Sequence, residues 1–374
     1  MIAFIVIAIC LVLTGEFFYL RRYLKIALAF WGIDSKKRPV VIGKYAFIAL
    51  FMILSVMVFS VIGIGALHIF LFAAIMDLIY ILVRLVIKKR TRVLDFIVHS
   101  GIFPVVLGIC MMIYGYINMH TVVMTDYTVH TDKALDRDYK IAFLSDTHLG
   151  VSLDLEDLQE MCDEISAQSP DLLLLGGDII DESSSFADLT AFFGMLGRVN
   201  ARYGVYYVYG NHDYPSRSIG SRDYTQEDLE DIITEAGITI LTDDVVKIDD
   251  DLVLIGRRDA SFDGNGILTE RRPVSELTQN INKNRFVILM DHQPREYEEC
   301  QAAGVDLIIS GHTHGGQIWP AGLVTTLIAP NELDYGHRID GSFNAIVSSG
   351  IAGWSFPVKT AKYAEYLIVT LTNK

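Results

Sequence analysis

Four apolar runs fill most of the first 120 residues: 2–20, 41–62, 66–87 and 96–117, none holding more than two charged residues. Each has the roughly 20 residues that carry a helix across a hydrocarbon layer, where every backbone polar group must be satisfied inside the segment. The first third of the chain is therefore expected to be an all-helical, four-span membrane region. The first run alone has the length of a signal peptide. It lacks a basic segment ahead of its apolar stretch, and three further runs follow, so it reads as a retained anchor.

Charge divides the chain at the same place. Residues 1–120 hold twelve Lys and Arg against four Asp and Glu, a balance of +8, whereas the remainder holds nineteen against forty-one, a balance of −22. Eleven of the twelve basic residues sit between the runs or near their ends: Arg21, Arg22, Lys25, Lys36, Lys37, Arg38 and Lys44 after the first, and Lys88, Lys89, Arg90 and Arg92 after the third. The turn between the second and third runs has none. Positive loops stay on the cytoplasmic side, so the acidic region is expected outside the cytoplasm, on a multi-pass protein of the cell membrane. Asp77, inside the third run, reads as a helix–helix partner or an interfacial residue. No repeated halves or interrupted helices accompany it as a transport site would require.

Cys10, Cys110, Cys162 and Cys300 are scattered, with no CxxC spacing. They form no disulfide framework and read as packing residues.

The acidic region alternates apolar strands with helical stretches. IAFLS (141–145), DLLLLGG (from 171), YGVYYVYG (203–210), FVILM (286–290) and VDLIIS (305–310) are strand-like, with helices expected at 154–168, 186–200, 225–236 and 294–303. VVKI and LVLIG read as paired strands, and YLIVTL (366–371) as a last one. Continuous apolar strands between helices indicate an α/β domain whose sheet is covered on both faces. We take residues 121–137 as a linker and 138–374 as this domain.

Polar residues stand just past five of these strands: Asp146 and His148 in SDTHLG, Asp178 in GGDIID, Asn211, His212 and Asp213 in GNHDY, His292 in DHQP, and His312 and His314 in GHTHGG. Strand ends are where α/β sheets place their sites. One such residue is an ordinary cap or turn; the five together are not. Asp146, His148, Asp178 and His314 can surround one divalent ion, and Asp178, Asn211, His292 and His312 a second, with Asp178 bridging. This mixed oxygen and nitrogen set, free of thiolate, suits manganese first, with zinc, iron or cobalt as alternatives. Two ions at such a site would activate a bridging water for attack on a phosphoryl group. The glycines of GHTHGG let alternate imidazoles reach different ions.

The motifs DTH, GGD, GNHD, DH and GHTH resemble those of the calcineurin-like metallophosphoesterases, in particular the membrane-tethered branch of the bacterial YkuE and YaeI phosphoesterases. The resemblance covers about residues 138–372. It implies the metal ligands named above and a four-layer sandwich, two packed mixed sheets flanked by helices. It also implies a place for His212 near the leaving-group oxygen, with Asp213 orienting its imidazole. YGHRIDG and SSGIAG resemble that branch's substrate-side loops. The late loop reads VSSG at 347–350 where the branch often carries an arginine, Ala364 and Glu365 stand where Pro-Glu is usual, and GRRD at 256–259 replaces GxDD.

Arg257, Arg258 and Arg295 are candidate phosphate clamps, more readily read as structural residues. Trp319 and Trp354 are candidates for an acceptor or lipid groove. At −22 the region after residue 120 repels nucleic acid. The lipid bilayer is the expected partner. The expected substrate is a phospholipid, a lipid-linked diphosphate or an envelope polymer phosphate, cleaved at a phosphodiester or pyrophosphate bond. The alternatives are a phosphomonoester and a non-catalytic metal-binding sensor.

Overall fold

The structure is a computed structural model that describes residues 2–57, 60–87, 91–214, 222–260, 270–323 and 331–373, the side chains of residues 2–12 excepted. The chain divides into two compact units, residues 1–114 and 115–374.

The first unit is helical: α1 (Ile2–Phe30), α2 (Arg38–Val56), α3 (Val61–Val86), α4 (Arg92–His99) and most of α5 (Ile102–Met119). Among the described residues three helices, not the expected four, are long and apolar enough to cross a membrane: α2, α3 and α5. The first expected span falls on α1, which continues through Arg21, Arg22 and Lys25, and whose apolar beginning, including Cys10, lies outside the described side chains. The run 96–117 is not one helix. Gly101 takes a left-handed φ of +81°, which ends α4, and α5 starts afresh with Pro104 in its first turn, where a missing N–H costs nothing. Asp77 is buried and ion-paired with Arg22, so it acts as a partner between helices.

The second unit is an α/β sandwich. Residues 121–137 are not a linker: β1 (Val122–His130) occupies most of them. The remaining elements are β2 (Tyr139–Leu144), α6 (Leu155–Ala167), β3 (Leu172–Leu175), α7 (Phe186–Gly197), β4 (Val205–Tyr207), α8 (Gln226–Glu235), β5 (Ile238–Ile240), β6 (Asp244–Lys247), β7 (Leu252–Gly256), α9 (Val274–Thr278), β8 (Phe286–Met290), α10 (Tyr297–Ala303), β9 (Leu307–Ser310), β10 (Gly336–Asp340), β11 (Phe343–Val347) and β12 (Ala364–Thr372). One sheet runs β1-β12-β2-β3-β4-β5 and the other β10-β11-β9-β8-β7-β6. Both are mixed: β2 through β5 are parallel, as are β7, β8, β9 and β11, while β12 is antiparallel to β2 and β6 to β7.

The sheets meet face to face. Phe143, Leu174 and Leu367 of the first interdigitate with Leu254, Ile288 and Ile309 of the second. The outer face of the first sheet is covered by α6, α7 and α8, and that of the second by α9 and α10. α6 illustrates why these segments are helical. Asp154 and Asp157 form a reciprocal capping box, and Leu158, Met161, Cys162 and Ile165 recur at helical spacing and are buried, each such side chain worth about 1.5–3 kcal/mol. Cys162 and Cys300 are buried free thiols, as the packing reading requires, whereas Cys110 is a free thiol on an exposed position.

Candidate metal centre

Parallel pairing aligns the carboxyl ends of β2, β3 and β4 along one edge and those of β8 and β9 along another. The loops leaving them carry every candidate ligand. Five of the ten non-glycine residues with positive φ among the described residues are Asp146, His148, Asp178, His312 and His314, at +53°, +43°, +52°, +72° and +53°. A left-handed conformation costs a residue with a Cβ about 1–2 kcal/mol. Concentrating that strain on five polar side chains is the mark of a site whose geometry matters more than local stability.

Three clusters result among the described residues, one of them His148, Asp181 and His212, and the other two are built from the expected ligands alone. Asp146, His148 and His314 bring one donor atom each to within 4.8 Å of one another, and so do Asp178, His292 and His312. In the first, His148 Nε2 lies 3.3 Å from His314 Nε2, and His314 Nε2 lies 3.7 Å from Asp146 Oδ1. In the second, His292 Nε2 lies 3.1 Å from Asp178 Oδ2 and 3.3 Å from His312 Nδ1. Asp178 Oδ2 also lies 3.8 Å from His148 Nε2, so this carboxylate touches both clusters. Asn211 sits in the same loop system: the next residue, His212, donates its backbone N–H to Asp178 Oδ1 at 2.7 Å, and the Asn211 amide oxygen is buried.

The outer ring nitrogens settle what the inner ones can do. His148 Nδ1 faces Asp181 Oδ2 at 3.0 Å, His292 Nδ1 faces Gly176 O at 2.9 Å, and His314 Nδ1 faces Ala352 O at 3.2 Å. On His148 and His314, protons on these nitrogens leave lone pairs on the opposite nitrogens, turned toward one another at 3.3 Å. A cation between them satisfies both, and each outer acceptor fixes its ring as supporting partners of metal ligands do. The glycines leave room for the carboxylates. A Cβ on Gly311 would stand 2.2 Å from Asp146 Oδ2, and one on Gly210 the same distance from Asp178 Oδ1. The donor set and its cradle fit two divalent ions.

Burial and charge act in opposite directions here. Burial opposes the charge on Asp178, yet His292, His148 and His212 hold its carboxyl well below the usual range. Burial also disfavours a charged His292, but Asp178 wins and raises it well above an ordinary imidazole. Burial pushes His312 down to about 4 and His314 down to about 3. Both imidazoles are neutral at neutral pH and ready to donate lone pairs.

His212 stands at the rim, its side chain 17% exposed. Asp213 does not orient it. The Asp213 carboxylate is fully buried and accepts the backbone N–H groups of Gly210 at 2.6 Å, Asp178 at 2.7 Å and Ile180 at 3.1 Å. Two adjacent residues on a tight turn point to opposite sides, which a sequence pattern cannot reveal. The partner of His212 is Glu182, whose Oε1 lies 2.7 Å from Nδ1. Burial lowers the His212 pKa, but this hydrogen bond and the nearby Asp178 outweigh it, and the net shift is upward. The only sequence signal for Glu182 is its place in GGDIIDE, four residues past Asp178.

Arg257 is no phosphate clamp: it is buried, bonded to Glu296 at 2.6 Å and to Arg272 O at 3.0 Å. Trp354 leans against His212 with ring centroids 5.5 Å apart. A further residue had no sequence signal at all. Lys359 is wholly buried and donates to Ser349 O, to Gly350 O at 3.0 Å and to Ala352 O at 3.4 Å. It clamps the loop whose Ala352 carbonyl orients His314. The variant Ser348-Ser349 stretch is held by Glu365, which accepts Ser349 N–H at 3.0 Å.

Residues 139–316, just under half of the chain, match the family model described as calcineurin-like phosphoesterase. The chain carries a calcineurin-like metallophosphoesterase domain. An uncharacterized metallophosphoesterase of Aquifex aeolicus is 29% identical over 72% of this chain and 98% of its own. The uncharacterized metallophosphoesterase YkuE of Bacillus subtilis is 28% identical over 70% of this chain and 90% of its own. A transmembrane protein with metallophosphoesterase domain from Danio rerio is 24% identical over 76% of this chain and 66% of its own. The metallophosphoesterase domain with its two ligand clusters is that of a metal-dependent phosphoesterase, and three apolar helices support a multi-pass membrane location.

Proposed function

We propose that the protein hydrolyses a phosphodiester or pyrophosphate bond of a membrane or envelope substrate, as a member of the membrane-tethered branch. The observation that carries the hydrolytic part is Asp178 touching both ligand clusters, 3.1 Å from His292 Nε2 and 3.8 Å from His148 Nε2. Asp146, His148, Asp178 and His314 would hold one ion and Asp178, Asn211, His292 and His312 the other, manganese being our first choice. A pair of divalent ions there supplies Lewis acidity, lowering the pKa of water and offsetting phosphoryl charge. His212, held by Glu182, presents Nε2 at the rim as the proton donor to the leaving oxygen. Trp354 beside it excludes water on that side.

The membrane location supports a lipid or envelope substrate, and the −22 balance after residue 120 disfavours nucleic acid. The domain is assigned to the extracytoplasmic face. The basic residues before α2 and after α3 mark cytoplasmic ends, so α5 runs outward whether or not α1 spans.

The test is hydrolysis by the full chain in detergent, with added Mn²⁺, of bis(p-nitrophenyl) phosphate and of p-nitrophenyl phosphate. Metal-dependent cleavage of the diester, lost in Asp178→Ala, is the expected result. Preference for the monoester would replace the diester assignment with a phosphomonoesterase. Tight metal binding without turnover of either would favour a sensor.

A further inference from the structure

Beside the metal centre lies a cavity of about 430 Å³ that the hydrolytic reading does not use. We infer that it receives the hydrocarbon chain of a membrane-resident phosphate ester whose phosphate sits at the two ligand clusters. The inference rests on the phosphoesterase reading and names its substrate class.

The lining is chiefly apolar: Trp319, Pro320, Leu323 and Leu333, with Gly315 at one end and Lys362 at the rim. The polar groups among the lining residues have partners of their own. Glu332 Oε1 accepts Tyr297 N–H at 2.8 Å, Tyr335 Oη donates to Glu365 Oε2 at 3.1 Å, and Lys362 Nζ stands 4.9 Å from the centre of the Tyr335 ring within the lining. The volume falls within the roughly 300–1,000 Å³ of small-molecule sites.

One end of the cavity reaches the chemistry. Gly315 directly follows the ligand His314, and Lys362 packs so closely over it that a Cβ there would meet Lys362 Cγ at 2.6 Å. The other relation is to the bilayer. Asn118, the last residue but one of α5, donates its side-chain amide to Lys359 O at 2.8 Å and Lys362 O at 2.7 Å. Gly115 O accepts Lys359 N–H at 3.0 Å, and a Cβ on Gly115 would strike Thr360 and Val358. The segment that forms the cavity rim is thus bonded to the end of a helix long and apolar enough to span a membrane.

The surface around the rim agrees. In the second unit nine large apolar side chains are exposed among the described residues, and three of them, Leu323, Trp354 and Tyr363, lie on the segments around this cavity. Those segments are knitted together: Gln317 O accepts Thr360 and Ala361 N–H, and Gln317 Nε2 donates to Trp354 O. Leu323, 71% exposed, stands at the mouth. Tryptophan and tyrosine with an exposed leucine suit the headgroup level of a membrane.

The test uses the full chain in detergent with Mn²⁺ and a series of p-nitrophenyl alkyl phosphodiesters, from the ethyl to the dodecyl ester. Each buried methylene favours binding, so kcat/KM in the wild type is expected to rise at least roughly ten-fold from ethyl to octyl, chiefly through KM. Leu323→Asp and Trp319→Ala should flatten that rise to within about two-fold. Leu323 is exposed, so its variant should fold. A flat series in wild type that still cleaves the ethyl ester overturns the chain site and leaves the phosphoesterase reading standing. A slope equal in wild type and both variants reports partition into micelles and also overturns it. Folded, metal-loaded protein that cleaves no member removes both assignments.

Discussion

Glu182 and His212 form a hydrogen-bonded pair, Oε1 to Nδ1 at 2.7 Å, at the rim of the metal centre, while Asp213 turns inward to the backbone. If His212 gives a proton to the leaving group, activity must fall as pH rises through its raised pKa. The hydrogen bond from Glu182 contributes most to that upward shift, against the downward pull of burial. Glu182→Gln should therefore move the alkaline limb of the pH–rate profile to lower pH and reduce kcat by about ten-fold or more. An unchanged limb would remove Glu182 from the proton path.

Asp213 makes a different prediction. In Asp213→Asn one carboxylate oxygen becomes an NH₂ group facing a backbone N–H, and a buried donor is left without an acceptor. The cost should be about 2 kcal/mol or more, seen as a lower melting temperature with weaker metal binding. A variant of full stability that lost only its pH dependence would restore the orienting role expected from sequence.

Gly311→Ala tests the cradle without touching a ligand. Its Cβ would fall 2.2 Å from Asp146 Oδ2, so the carboxylate must move. Metal affinity should drop by an order of magnitude or more, within the range seen when supporting contacts of a metal site are lost. Calorimetric titration with Mn²⁺ reads this directly, and unchanged affinity would mean that Asp146 is not a ligand.

Metal binding should also release protons. In the metal-free protein His292 is raised and Asp178 lowered. The stabilisation from charged His292 is present below its unfolded value and fades as pH rises through the raised one. That from Asp178 is present above the ordinary carboxylate value and fades as pH falls through the lowered one. Both operate at mildly acidic pH, where the metal must displace the His292 proton. Apparent affinity should climb by up to about ten-fold per pH unit between pH 6 and 8. Titrations in buffers of different ionisation enthalpy would count the proton released, and none released would contradict a charged His292 in the metal-free protein.

The true start of the domain is testable by truncation. A chain beginning at residue 131 lacks β1, whose nine residues pair in parallel with β12, and Asn118. It should be insoluble, or bind metal weakly, whereas one beginning at Gly115 keeps the whole second unit and should fold. Comparable melting temperatures for the two would make β1 dispensable.

The sequence carried the α/β alternation and the strand-end ligand set because continuous apolar runs and glycine-flanked Asp and His are local signals. It carried less of what depends on distant partners. β1 reads VVMTDYTVH, an alternating strand beside a single span, and only pairing with Ala364–Thr372 makes it part of the sheet. The break at Gly101 falls in the short stretch His99-Ser100-Gly101, which an otherwise apolar run of spanning length conceals. Glu182 and Lys359 act through groups 30 and 7–10 residues away; the place of Glu182 in GGDIIDE is a weak mark, and nothing in its neighbours marks Lys359.

The order β1-β12-β2 sets a condition on synthesis. β1 emerges from the ribosome first, yet its neighbour β12 comes last, and Thr125 waits for Glu365, 240 residues later in the chain. Until then both β1 and β2 present open edges beside a freshly inserted membrane helix, the kind of exposed edge that invites mispairing. The nascent protein therefore passes through a vulnerable interval whose length is the translation time of nearly the whole domain. A holding chaperone at the membrane surface would be most needed then, and a stop codon even a few residues into β12 would leave the edges open for good.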